Sequence, residues 1–251
     1  MRAFVLALYL ESTTGERDLM SSKGMRTMQM VKVAELLQID LHVEEPHETL
    51  PGVTIGKLGG PLYELVKLIT DVLNETGQLL VEYGYTNLGS FVIAALEEGK
   101  KAGEGGKEVV LERIVRAFPG FQDMAIVNGQ HIYCFKKALF LIHAICIQFG
   151  SLKPAPFWVA DTTDSPVFAD NVLPSMMMHF GVIDVGRLGM GRDMNWEEGY
   201  MLRAAAIEAG ERIATAAGRL ETEVDMWLWG ISKRPELRVI DRMAERGTVF
   251  Y

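Results

Sequence analysis

The sequence predicts a mainly α, single-domain fold with at most a short β-hairpin. Three observations carry that expectation. From about residue 62 onward apolar residues recur at helical three- and four-residue intervals. Asn195-Trp196-Glu197-Glu198 and Thr222-Glu223-Val224-Asp225 both have the form of helix-opening capping boxes. Strand patterning is confined to a few residues, and no internal repeat or linker-like break divides the chain.

Taken in order, Ala3 to Leu10 is an apolar run that Glu11 ends. It is too early and too short for a secretory signal and lacks a small-residue cleavage site, so it is read as a buried strand or helix end. Leu65, Ile69, Val72, Leu79 and Leu80 describe one long helix, or two joined near Gly77. Helices are expected over roughly Leu88 to Glu98 and Glu108 to Phe118, parted by the glycine-rich stretch 101–106. Phe118-Pro119-Gly120 stops the second of these. The Asn128-Gly129 turn signal makes 129–135 the best β candidate.

Lys136 to Phe149 is apolar nearly all round, which predicts a helix at the centre of the fold, closed by Gly150. Pro154 and Pro156 mark an extended connector, and a short helix should start near Asp170, with Pro174 in its first turn. Asn195 then opens a helix to about Ala217, and Thr222 opens the next.

Composition narrows the function. Hydrophobic residues make up 49% and charged residues 23%, a globular balance. Lys plus Arg number 25 against 33 Asp plus Glu, a net charge of −8 that repels phosphate backbones and anionic lipid. No stable nucleic-acid binding and no membrane span are expected. Cys134 and Cys146, both in apolar sequence, are read as free thiols of a reducing compartment, and a cytoplasmic monomer is the expectation.

Most motif-like strings have ordinary structural explanations. Gly186 to Gly191 lacks the strand and the lysine-serine pair of a phosphate loop and is read as a plain loop. His42 and His47, among Glu44, Glu45 and Glu48, lack the partners and spacing of a zinc site, so no metal is expected. His143 is read as a core histidine, Met176-Met177-Met178 as core filler, and the Asn74-Glu75-Thr76 sequon as helical and unglycosylated. Asp170 is either an N-cap or a site carboxylate, Asp225 either a capping-box partner or a ligand-binding acid, and Lys136 either a snorkelling or a site cation. A carboxylate at a helix start, beside an aromatic ring and near a lysine, suits an anionic, planar ligand.

Six strings carry a resemblance: Leu73-Asn74-Glu75-Thr76-Gly77, Phe118-Pro119-Gly120-Phe121-Gln122-Asp123, Phe135-Lys136-Lys137-Ala138, Phe168-Ala169-Asp170-Asn171-Val172-Leu173-Pro174, Leu202-Arg203-Ala204-Ala205 and Asp225-Met226-Trp227-Leu228-Trp229. In this order the chain resembles the queuosine salvage proteins, the queuosine 5′-phosphate N-glycosylase/hydrolases, in their fungal-like form. The likeness runs from about residue 61 to 251; residues 1–60 match poorly and lack the family's Asn-Phe-Ser-Phe-Trp-like string, which implies a chain short at its N-terminus.

The resemblance implies a helical fold related to DNA glycosylases and hydrolysis of queuosine 5′-monophosphate to free queuine, with no metal or organic cofactor. It implies Asp170 as the catalytic carboxylate, with Phe168 against the base. Asp225 with its neighbour Met226 would bind the queuine part, and Lys136 would lie near the phosphate or ribose. The alternative is a homologue that binds nucleotide or queuine without turnover.

Overall fold

The computed structural model describes residues 2–15, 18–186, 194–243, 245 and 247–250. Of the Gly186–Gly191 loop, residues 187–191 lie outside them. The chain divides into two compact units, Met1–Val92 and Ile93–Tyr251.

In the first unit the apolar run at the start is a helix, α1 (Arg2–Thr14), followed by α2 (Ser22–Arg26) and α3 (Met30–Leu37). Phe4 and Leu8, one turn apart, enter a core with Met28, Val33, Ala34, Leu41 and Val66. A hairpin of β1 (His42–Pro46) and β2 (Thr54–Leu58) comes next, in antiparallel register from His42↔Leu58 to Pro46↔Thr54. Every residue of both strands is exposed, so no buried face imposed an apolar alternation, and this hairpin is additional to the one expected. The acidic residues around His42 lie on it in solvent. The long helix is continuous: α4 (Tyr63–Glu82) runs straight through Gly77, where a Cβ would collide with the α2 backbone at Arg26 and Ser22. Glycine there permits close helix packing.

The boundary between the units falls within α5 (Leu88–Ala102), whose first turn is capped by Asn87 Oδ1 accepting from Ser90 N at 2.8 Å. The second unit continues with α6 (Gly106–Ala117) and a 3₁₀ turn at Pro119–Phe121. The expected hairpin pairs β3 (Met124–Val127) with β4 (Gln130–Tyr133) about the Asn128-Gly129 turn. Then come α7 (Lys136–Phe149), α8 (Val172–His179), α9 (Trp196–Ala217), α10 (Glu221–Ile231) and the short α11 (Pro235–Arg238). Its main core joins Val167, Ala169, Leu173, Met176 and Met177 to Ala206, Ala214, Val224, Leu228 and Ile231. The methionine triplet is core, as its composition predicts.

Two expectations need correction. Helix α7 is not central: Ala138, Leu139, Ile142 and His143 are buried, while Phe140 is 43% and Ile147 69% exposed. Apolar residues on its outer face reflect position and not depth. Helix α10 is capped at Leu220, with Glu223 accepting the Leu220 N–H at 3.2 Å, so Thr222 lies inside the helix and is buried. Asp225 is therefore in the second turn and takes no part in the cap. The short helix expected near Asp170 is present from Val172, with Pro174 in its first turn.

Among the described residues no helix is long and apolar enough to cross a membrane, and no group of three or more His, Cys, Asp or Glu side chains converges on a metal position.

Candidate functional site

The site lies in the second unit and is built on the extended segment Val167–Asp170, which is tethered from every side. Glu221 and Asp225, four residues apart on α10, accept the successive N–H groups of Val167 and Phe168 at 3.2 and 2.7 Å. The Ala169 carbonyl accepts from Arg203 Nε at 2.8 Å. Asp170 Oδ1 accepts from Val172 N at 2.7 Å and Leu173 N at 3.3 Å, satisfying the first donors of α8. The capping geometry expected of Asp170 is thus present, one residue before the formal N-cap, Asn171. It fixes one carboxylate oxygen and leaves the other, Oδ2, facing Lys136 Nζ at 3.7 Å.

Lys136 reaches Asp170 because of how α7 begins. Asp123 accepts the N–H groups of Cys134 and Phe135 on its backbone oxygen, at 3.0 and 3.1 Å, and the N–H of Lys136 on its carboxylate at 3.2 Å. Phe135 takes a left-handed conformation, φ 42°, to make that turn, at a cost of roughly 1 kcal/mol. The next residue, Lys137, turns elsewhere: its Nζ donates to Val249 O at 2.6 Å and lies over the Phe121 ring. Of this lysine pair, Lys136 is the one that faces Asp170.

Asp123 and Arg203 form the centre of the support. Both are fully buried, the guanidinium forks onto the carboxylate through NH1 and NH2, and Tyr200 OH donates to Asp123 Oδ1 at 3.2 Å. A bidentate arginine–carboxylate pair of this kind is geometrically specific. Neither residue was singled out from sequence, although Arg203 between Leu202 and Ala204 is a charge in an otherwise apolar helix face, and that is the signal of a buried pair.

Two buried carboxylates therefore belong to this site, close enough for the charge of one to act on the other. Asp170 and Asp225 are 7% and 5% exposed. Burial, opposed by the hydrogen bond from Phe168 N and reinforced by the charge of Asp170, pushes the Asp225 carboxyl up to about 7. His143 is the core histidine expected, its Nδ1 hydrogen-bonded with Thr162 Oγ1 at 2.9 Å, and burial lowers its pKa. Its ring packs on Phe168 at 5.3 Å between centroids.

The structure thus brings together Asp170, Phe168, Asp225 and Lys136. It does not bring in Met226. Consecutive helical residues project about 100° apart, so Met226 leaves the face that carries Asp225, and it is 45% exposed.

Fold and site together define a mainly helical domain with a tethered pair of buried carboxylates beside a lysine. The chain belongs to the queuosine salvage protein family, whose model matches residues 61–251. Over 192 residues it is 26% identical to the queuosine 5′-phosphate N-glycosylase/hydrolase of Sphaerobacter thermophilus, covering 72% of this chain and 56% of the bacterial protein. Over 113 residues it is 28% identical to the mouse protein of the same name, covering 45% of this chain and 30% of that one. The chain spans about half the length of the bacterial relative and less of the mouse one.

Proposed function

We propose that this chain hydrolyses the N-glycosidic bond of queuosine 5′-phosphate and releases queuine, with Asp170 as the carboxylate at the reacting carbon. The observation that carries this reading is the divided carboxylate: Oδ1 held by the start of α8, Oδ2 directed at Lys136 in a nearly buried position. The names of the two relatives supply the substrate.

The residues suit the chemistry. As the bond between C1′ and the base nitrogen breaks, its electron pair leaves with the base and positive charge develops on the ribose. A fixed carboxylate at Asp170 stabilises that charge and orients the attacking water. The water oxygen bonds to C1′, and the water's proton balances the charge of the departing base, giving ribose 5-phosphate and queuine. A 7-deazapurine offers no N7 to protonate, so help for the leaving base comes from contacts elsewhere on the heterocycle.

Queuine carries a secondary amine that is cationic at neutral pH, and Asp225 is the acid placed to pair with it. Phe168, buried behind Asp170, supports the base side of the site, and Lys136 serves the phosphate or ribose. The net charge of −8 favours a free nucleotide over intact tRNA.

The test is incubation of purified protein with queuosine 5′-monophosphate, followed by chromatography for free queuine, with Asp170→Asn in parallel. Queuine from the wild type alone is the expected result. Equal activity in Asp170→Asn removes the assignment, and queuine binding without product by the folded wild type identifies a binding homologue instead.

A further inference from the structure

The ring of Phe168 is the aromatic expected against a base, yet it is 2% exposed. The Phe140 ring meets it at 5.7 Å between centroids, nearly perpendicular at 81°, and the His143 ring packs on it at 5.3 Å. Little of its face remains for a ligand. Phe140 is different. It follows Lys136 by four residues on α7, hence on the same helix face, and is 43% exposed. Lys136 Nζ stands 5.8 Å from its ring centroid and 3.7 Å from Asp170 Oδ2. An isolated surface phenylalanine needs no explanation. This one meets both Phe168 and the lysine that faces Asp170, and its open surface adds nothing to the core.

We infer that Phe140 is the aromatic surface on which the planar heterocycle of the ligand lies, and that it sets the preference for a base-bearing ligand over the sugar phosphate alone. The inference rests on the reading of Asp170 and Asp225 as the ligand site. Phe168 then acts as the buried support that Phe140 packs on at near right angles, and Lys136 takes the polar side of the ligand.

The experiment titrates the wild type, Phe140→Ala and Phe140→Trp with free queuine and, separately, with ribose 5-phosphate by calorimetry, alongside queuine release from queuosine 5′-phosphate. Stacking of one base on an aromatic residue is worth roughly tenfold or more in affinity. Phe140→Ala should weaken queuine binding about tenfold and raise KM similarly, leave ribose 5-phosphate binding unchanged, and be rescued by Phe140→Trp. Because the side chain is partly exposed, the variant should keep the wild-type circular dichroism spectrum. Unchanged queuine affinity in Phe140→Ala, or an equal loss for both ligands, overturns the inference while leaving an active wild type's proposed function intact. A folded wild type that neither binds nor releases queuine overturns both.

Discussion

Arg203 holds Asp123 with two guanidinium nitrogens while its third donates to the Ala169 carbonyl, so one buried ion pair joins the start of α7 to the segment that carries Asp170. Asp123 in turn accepts the Lys136 N–H. The backbone of Lys136 and the segment bearing Asp170 are thereby tied to each other through that pair.

Arg203→Lys tests that dependence. A lysine keeps the charge but cannot fork onto Asp123 and reach Ala169 O together. The variant should lose about 2 to 4 kcal/mol of stability, since a buried pair is left imperfectly made. At a temperature where it is folded, kcat for queuine release should fall at least tenfold with KM changed less. A stable variant with unaltered kcat would show that the pair only holds the fold together.

Asp225 gives a pH signature. Its folded-state pKa of about 7 stands above the ordinary 3.8, so between those values the folded protein keeps a proton that the unfolded chain has released. Stability must then fall as pH rises through that window. Asp225→Asn keeps an acceptor for Phe168 N and removes the titration. Thermal melts should coincide near pH 4 and show the variant more stable by on the order of 2 kcal/mol at pH 8. Binding of cationic queuine to the wild type should strengthen as pH rises towards 7, and the variant should lose that trend.

Gly210 bears on the site from behind. A Cβ there would come within 2.6 Å of Val167 Cγ1, and Val167 is fully buried at the head of the tethered segment. Alanine in a helix normally gains about 1 kcal/mol over glycine. At this position the overpacking, about 1 to 3 kcal/mol, should exceed that gain. Gly210→Ala is expected to lower the melting temperature, and the double variant with Val167→Ala to recover part of the loss attributable to the clash.

The two cysteines should separate cleanly. Burial pushes the Cys134 thiol up to about 12, and the residue is 1% exposed, whereas Cys146 is partly accessible on α7. A thiol reagent at pH 8 should therefore modify one cysteine in the folded protein and the second only after denaturation. Cys146→Ser should abolish the fast phase.

What the sequence revealed follows physical locality. The bounds of α7 match the expected Lys136 to Phe149, and Asn195 and Glu198 form the reciprocal cap of α9 through hydrogen bonds of 2.9 and 3.2 Å. These are contacts between near neighbours, written in adjacent letters. The β1–β2 hairpin left no pattern because neither face is buried. Asp123 and Arg203 stand 80 residues apart, and a fork between them has no period in sequence. Glu221 was hidden likewise, since its role is to accept an N–H 54 residues away. Phe140 was lost for the opposite reason: an all-apolar helix reads as core on every face, and only the packing of the fold separates the side that meets solvent.

Asp170 has a consequence for how this position varies among related chains. Its Oδ1 completes α8, a task that asparagine or serine performs about as well. Selection for a folded chain alone would let those residue types exchange freely at 170. Selection for the second oxygen and its charge would not. A descendant that abandoned turnover would therefore show drift here first among the capping residues, with no change in helix α8, so that loss of chemistry would leave its mark in the choice of cap before any mark appeared in the fold.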